Sequence, residues 1–188
     1  MTDRSLRAMK TRKKLFQSAA KLIDKHGYDN VTIEEICRKA GVSVGAFYHY
    51  FNSKTDIIVE LFKQIDNYYE ENVTPELSGD ASADLETFFR YYAKFHIEHG
   101  YEHTCMVLKI QNDLFLDKGR YMHVLLLKLT EDARAGGAFG EDADPVMVAD
   151  YLLVIARGLL FDWALARGGH DLIEKMDRYI KLGKKSFV

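Results

Sequence analysis

The chain has few of the residues that mark a secreted or membrane-spanning protein. Its 188 residues include two cysteines, too few for a disulfide framework in a chain of this size. The most apolar stretch, residues 151–165, is interrupted by Arg157, Gly158 and Asp162 and is shorter than the roughly 20 residues that span a bilayer. No signal-peptide pattern opens the sequence. We therefore expect a cytoplasmic protein with no membrane span.

Net charge is also low, because 26 Lys and Arg side chains stand against 28 Asp and Glu side chains, giving −2. The balance is uneven along the chain. Residues 1–55 carry eleven basic and five acidic side chains, a net charge of +6, and the remaining residues carry −8. A basic amino-terminal segment joined to an acidic remainder is typical of a protein whose first part binds nucleic acid.

Proline is rare as well, with two residues, and almost no segment alternates apolar and polar residues at a period of two. Apolar residues instead recur at spacings of three and four, and 47% of the residues are hydrophobic, which is enough for a core. The sequence therefore predicts an all-α fold, with a first domain of residues 1–55 and a second of residues 56–188. The expected helices cover about residues 7–26, 33–40, 44–50, 53–72, 84–99, 101–112, 118–135, 145–166 and 171–180.

Residues 32–50 carry the strongest local signals. Thr32, followed three residues later by Glu35, is a capping box at the start of a short helix. Gly41 supplies a left-handed stop, and Ser43 can cap a second short helix over residues 44–50. Two short helices separated by such a turn form a helix-turn-helix.

The second short helix has the composition that a helix in the major groove needs. Val44, Gly45 and Ala46 are small enough to let its first turn approach base edges. Phe47 and Phe51, four residues apart, can anchor the opposite face of this helix to the core of the first domain. Groups suited to phosphate contact are present at Thr32, Tyr48, His49, Tyr50 and Lys54.

Residues 28–62 are similar in sequence to the DNA-binding segment of TetR-family transcriptional regulators. The run Gly41-Val42-Ser43, then Gly45, the run Phe47-Tyr48-x-Tyr50-Phe51, and Lys54 all stand at the family's spacing. The resemblance implies an all-α homodimer in which an N-terminal three-helix head binds operator DNA and a larger helical body binds a small-molecule effector. Binding of the effector would relieve repression.

By position, the resemblance implies base contacts from Val44, Gly45 and Ala46. Val44 is apolar where many members of the family place a hydrogen-bonding residue. Base readout is therefore expected to use thymine methyl contact and DNA shape. The contacts to the DNA backbone implied by position are those of Thr32, Ser43, Tyr48, His49, Tyr50 and Lys54.

A body that binds an effector needs a cavity, and the second domain is rich in aromatic residues that could line one. We hypothesise a largely apolar pocket between the middle helices, suited to an amphipathic ligand. No cofactor is predicted. The expected lining residues are Phe88, Tyr92, His96, Met106, Phe115 and Trp163.

The last two helices are apolar along much of their length, and the resemblance implies that they pair with their two-fold mates as a four-helix bundle. Ala156 and Gly158 would permit close helix approach. The alternative is that the same residues pack onto their own domain. The apolar residues in question are Val148, Leu152, Ile155, Leu159, Leu160, Leu172, Ile173, Met176, Tyr179 and Ile180.

Two other functions fit parts of the sequence. His99, Glu102 and His103 match the pattern H-x-x-E-H, which on one helix can bind zinc in a hydrolase. Gly100 instead favours a helix end at His99, which would break the face that a zinc site needs. The other function is that of a nucleoid-type structural DNA-binding protein without an effector, which predicts little sequence preference.

Overall fold

A computed structural model describes residues 3–109 and 118–188 of the chain, and helices account for all regular structure in these two ranges. The all-α fold predicted from the sequence is confirmed. A π-helical turn at Tyr69–Val73 and short 3-10 turns at Thr74–Glu76 and Lys185–Phe187 accompany the α-helices. The α-helices are α1 Asp3–His26, α2 Ile33–Ala40, α3 Val44–Tyr50, α4 Thr55–Tyr68, α5 Ala81–His99, α6 Tyr101–Lys109, α7 Tyr121–Ala135, α8 Pro145–Leu165 and α9 Leu172–Lys184.

Helices α1 to α3 form the head, and the helix caps that the sequence predicts there are formed. The Thr32 hydroxyl accepts a hydrogen bond from the Glu35 backbone N–H, and the Glu35 carboxylate accepts one from the Thr32 N–H, which completes the capping box. Gly41 ends α2 at a φ of 70°, in the left-handed region. The head is built around a buried core of Leu15, Ala19, Ile23, Ile36, Cys37 and Phe47.

Helix α4 connects the head to the body. It continues into the π-helical turn, where the buried Tyr69 hydroxyl donates a hydrogen bond to the Phe88 carbonyl of α5. Asp66 of α4 forms an ion pair with Arg120, which precedes the first residue of α7. The connecting helix is therefore fixed to the body by polar contacts as well as by packing.

Helices α5 to α9 form the body, in which α9 packs against both α5 and α8. Aspartate side chains cap three of these helices: Asp80 for α5, Asp144 for α8 and Asp171 for α9. The cap at Asp80 makes α5 begin at Ala81, earlier than the predicted residue 84. Helix α9 runs beyond the predicted residue 180 because its last turn packs closely on α8, where a Cβ at Gly183 would lie 2.9 Å from Ile155.

A further boundary differs from the sequence prediction. Helix α1 begins at Asp3 rather than near residue 7, so the basic amino-terminal residues extend the helix. The predicted end of α6 near residue 112 lies outside the described residues. Within residues 3–109 and 118–188, no helix combines the length and the apolar character needed to cross a membrane.

Candidate DNA-binding surface and ligand sites

Helix α3 has one face in the core of the head and one face in solvent. The Phe47 side chain is fully buried, and its ring lies 5.5 Å from that of Phe51, centroid to centroid. Val44 and Tyr48 are 36% and 53% exposed, and Gly45 is exposed between them. Val44 and Gly45, two of the three residues predicted to face base edges, therefore lie on the free side of a helix that is anchored by its phenylalanine, and the third, Ala46, is half-buried.

The residues predicted to contact the DNA backbone lie at the starts of α2, α3 and α4 and within α3. The Ser43 hydroxyl caps α3 by accepting a hydrogen bond from the Ala46 N–H at 3.1 Å. Thr32 and His49 are exposed, and Tyr50 is half-buried with its ring 5.0 Å from that of His49. The amino ends of α2 and α3 thus combine exposed hydroxyl groups with the positive end of a helix dipole, an arrangement suited to phosphate.

Lys54 is held more tightly than the sequence indicates. Its Nζ donates hydrogen bonds to the carbonyls of Tyr28 at 2.7 Å and Val31 at 2.9 Å, and it lies 4.2 Å from the centroid of the Tyr28 ring. Two of its three N–H groups are thus used inside the head. Lys54 ties the start of α4 to the loop between α1 and α2 and has one N–H left for a phosphate.

Four of the six predicted effector-pocket residues can be located, and all four are buried. Phe88, Tyr92 and His96 follow one another at intervals of four along the inner face of α5, with the Tyr92 and His96 rings 5.1 Å apart. Trp163 lies near the carboxyl end of α8, against Gly168. The Met106 side chain and the whole of Phe115 lie outside the described residues.

His96 carries an unpaired acceptor in this interior. The Thr104 hydroxyl donates to the Gly100 carbonyl, so it accepts the hydrogen bond from His96 Nδ1 at 3.0 Å. His96 Nε2 is then the unprotonated nitrogen, and it has no partner among the described residues. Burial lowers the pKa of His96 to about 3, so the ring is neutral near pH 7.

A cavity of about 1070 Å³ lies where the head meets the body, and we call it the junction cavity. Most of its lining comes from α1, with Glu60 and Gln64 of α4, His99 of α5 and His103 of α6 completing it. No pattern in the sequence predicts this site, because it arises where α1 packs against α6, two helices that are distant in sequence.

The H-x-x-E-H string does not lie on one helix. His99 ends α5, Gly100 has a φ of 87°, and Glu102 and His103 belong to the separate helix α6. The His99 and His103 rings are 4.9 Å apart, but the described residues contain no group of three His, Cys, Asp or Glu side chains arranged to hold a metal ion. The helical geometry on which the zinc-hydrolase alternative depends is therefore not formed.

The apolar residues of the last two helices divide between the interior of the subunit and its surface. Val148, Leu152, Leu160, Met176 and Ile180 are buried within the subunit and belong to its hydrophobic core. A different stripe, on the outer side of α8, is exposed. We call it the α8 stripe; it consists of Met147, Tyr151, Val154, Gly158, Phe161 and Leu165, at helical spacings of three and four.

Comparisons with known proteins agree with this geometry. Residues 15–61 match the family model described as bacterial regulatory proteins, tetR family. The chain is 26% identical over 149 residues to the transcriptional regulator AcuR of Cereibacter sphaeroides, covering 72% of this chain and 68% of that protein. An anchored helix-turn-helix with an exposed second helix defines a DNA-binding protein of this class.

The whole fold is shared with solved structures. The fatty acid degradation regulator FadR from Bacillus halodurans superposes with a TM-score of 0.76 at 18% identity, covering 93% of this chain and 94% of that chain. FadR from Bacillus subtilis, solved in complex with stearoyl-CoA, gives a TM-score of 0.75 at 19% identity, covering 94% and 99%. The family-model match over residues 15–61, the curated relatives and the solved structures together support a TetR-family transcriptional regulator.

Proposed function

We propose that this regulator is a cytoplasmic repressor that binds operator DNA through α3 and leaves it when a small amphipathic molecule binds. The observation that carries the proposal is the exposed face of α3. Val44, Gly45 and Tyr48 are presented to solvent by a helix whose Phe47 is fully buried, within a segment of net charge +6. Such a surface suits a negatively charged duplex better than any small substrate.

In the proposed complex, different residues of the head contact the bases and the backbone of the DNA. Val44, Gly45 and Ala46 contact base edges, with the Val44 methyl groups suited to thymine methyl groups. Thr32, Ser43, Tyr48, His49, Tyr50 and Lys54 contact the DNA backbone. Because the α2 and α3 caps already orient Thr32 and Ser43, these contacts need little reordering on binding.

The proposed active form is a homodimer paired through the last two helices. The α8 stripe supports this arrangement, because Val154, Phe161 and Leu165 are 66%, 56% and 69% exposed and lie on one side of the helix. Tyr179 and Leu182 of α9 are also exposed. An apolar surface of this length is typical of an interface between subunits. Pairing would set the distance between two α3 helices at about one helical turn of DNA, roughly 34–36 Å.

The proposed effector is amphipathic, and it contacts the residues predicted from the sequence, of which Phe88, Tyr92, His96 and Trp163 lie buried in the described part of the body. The unpaired Nε2 of His96 supports a ligand that offers an N–H or O–H group there. The likeness to a FadR structure that holds stearoyl-CoA, itself an amphipathic molecule, supports the same class of ligand. Such an effector binds more tightly to a dimer whose α3 helices no longer fit the DNA. It therefore weakens DNA binding by the free energy that couples the two binding events, typically about 1–3 kcal/mol.

Fluorescence anisotropy with a labelled duplex from upstream of the regulator's own gene tests the DNA contacts. We expect the association constant to fall steeply with added salt, with a log–log slope of about −0.9 for each phosphate that the protein neutralises. Tyr48→Phe should weaken binding to all duplexes alike, and Val44→Ala should change which sequence is preferred. Failure to bind any duplex at low salt would contradict the proposed function.

Sedimentation tests the dimer. Val154→Glu places a charge in the middle of the α8 stripe and should give a monomer at micromolar concentration. Val124→Glu is the matched control, because Val124 is 53% exposed on α7, outside the stripe. A wild-type monomer, or equal dissociation of both variants, would contradict pairing through α8.

A further inference from the structure

The junction cavity has an apolar wall that DNA binding does not explain. Leu6 and Met9 of α1 line it and are 44% and 59% exposed, and the half-buried Phe16 continues the same wall two turns further along. When a ligand covers large apolar side chains that are exposed in a cavity, their removal from water makes the free energy of binding more favourable. The site is therefore suited to a molecule with a substantial apolar part.

Most of the charged side chains that line the cavity are basic. Lys10, Arg12, Lys13 and Lys21 line it, and the carboxylate of Glu60 is paired with Arg12 at 2.6 Å. The three lysines have no ion-pair partner among the described residues. An anionic group entering the cavity would thus meet several cations and no free carboxylate from its described lining.

Histidine completes the wall on the body side. Both ring nitrogens of His103 are buried and have no hydrogen-bond partner in the described part of the chain. Burial, with a smaller effect from neighbouring His99, lowers the pKa of His103 to about 4, so the ring is neutral near pH 7 and offers one donor and one acceptor. His99 Nδ1 donates to the Phe95 carbonyl at 2.7 Å, and its ring stacks on Phe95. Of these two histidines, His103 is the one whose two ring nitrogens are both buried without a partner among the described residues.

We propose that the junction cavity binds an amphipathic molecule with an anionic head group, a carboxylate or a phosphate. The apolar part lies on Leu6, Met9 and Phe16, the head group is held by Lys10 and Lys13, and His103 supplies a hydrogen bond. The walls come from α1 of the head and from α5 and α6 of the body, so a bound molecule contacts both units at once. The inference that this molecule releases the protein from DNA rests on the proposed function, whereas binding of the molecule to the cavity can be measured without DNA.

Titration calorimetry on the full-length protein tests the proposal with three probes that share a ten-carbon chain: decanoate, decyl phosphate and decyltrimethylammonium. At least one anion should bind about tenfold or more tightly than the cation, because several uncompensated lysines face the site. The better of the two anions identifies the head group as carboxylate or phosphate. Equal binding of the cation, or no binding of either anion, would overturn the proposal.

Charge-reversal variants of α1 locate the site. The double variant Lys10→Glu/Lys13→Glu should weaken anion binding about tenfold or more, since two attractive contacts become repulsive. Lys14→Glu/Lys25→Glu is the matched control: it changes the net charge equally at exposed α1 positions that do not line the cavity. Equal weakening by both double variants would show a general effect of charge and would overturn the assignment.

Two further variants separate the junction cavity from the body interior. His103→Phe keeps a ring but removes both nitrogens, and it should weaken anion binding, whereas Trp163→Phe should leave it unchanged. The reverse pattern would place the ligand in the interior and overturn the proposal. Thermal unfolding confirms that each variant is folded. DNA affinity of the wild type, measured separately, shows whether the regulatory function stands if the cavity binds no anion.

Discussion

The ion pair between Asp66 and Arg120 offers the sharpest test of how the connecting helix α4 is fixed to the body. Arg120 Nε and Nη2 donate to the two Asp66 carboxylate oxygens at 3.0 and 3.1 Å, and Nη2 also donates to the Phe62 carbonyl at 3.2 Å. The guanidinium lies 4.4 Å from the centroid of the Phe62 ring. The Arg120 and Asp66 side chains are 8% and 20% exposed, so removal of either leaves the other poorly solvated.

The burial of these two side chains sets how much the free energy of unfolding should fall when the pair is broken. Breaking a fully buried pair costs about 3–5 kcal/mol, and an exposed pair contributes about 0–1 kcal/mol. Asp66 keeps some solvent contact and a hydrogen bond from the Met122 N–H, so we expect Arg120→Ala to lower the free energy of unfolding by about 2–3 kcal/mol. Arg120→Lys should recover part of this loss, because lysine restores the charge but not the two parallel hydrogen bonds.

The assay is urea unfolding at one fixed protein concentration, because dimerisation makes apparent stability depend on concentration. Arg120→Ala, Asp66→Ala and the double variant complete a cycle that isolates the interaction between the two residues. We expect a coupling free energy of about 2 kcal/mol, and a value below about 0.5 kcal/mol would refute the reasoning, since it is typical of an exposed pair.

Three other predictions concern stability and use the same urea assay. Gly41→Ala should cost about 1–2 kcal/mol and Gly41→Asn less, because a Cβ there meets no atom within 4 Å and the cost is that of the left-handed backbone alone; equal costs would contradict this. Thr32→Ala should cost about 1 kcal/mol by removing half of the capping box, and an unchanged stability would mean that the cap is not formed in solution. Stability should fall as pH drops below about 6.5, because the unfolded chain binds protons that buried His96 and His103 do not, by up to about 1.4 kcal/mol per pH unit for each histidine. His96→Gln should flatten that slope, and an unchanged slope would show that His96 is not buried in its neutral form.

The helix-turn-helix could be predicted from the sequence because its signals are local. Thr32 and Glu35 are three residues apart, Gly41 fixes the turn by its own backbone, and Ser43 caps the next helix within three residues. Each of these interactions lies within one turn of helix. Local chemistry therefore determined both the boundaries of α2 and α3 and the exposed face of α3.

The sites in the body depend on contacts that no local pattern contains. Helix α8 is apolar on most of its surface, so spacing alone could not distinguish the buried Leu152 from the neighbouring, exposed Tyr151. The junction cavity needs Lys13 and His103, which are ninety positions apart in the sequence and are brought to one wall by the packing of α1 on α6. These features become visible once the helices are placed against each other.

The most direct test of the central claim is selection of binding sites from a random pool of duplexes of about 30 base pairs, long enough for two half-sites one helical turn apart. If paired α3 helices read DNA, the selected sequences should converge on a two-fold-symmetric site with half-site centres about 10 base pairs apart. Substituting Val44 should shift the bases chosen within each half-site. A pool that shows no enrichment, or that converges on the same sequence when Val44 is changed, would contradict DNA reading by the first turn of α3.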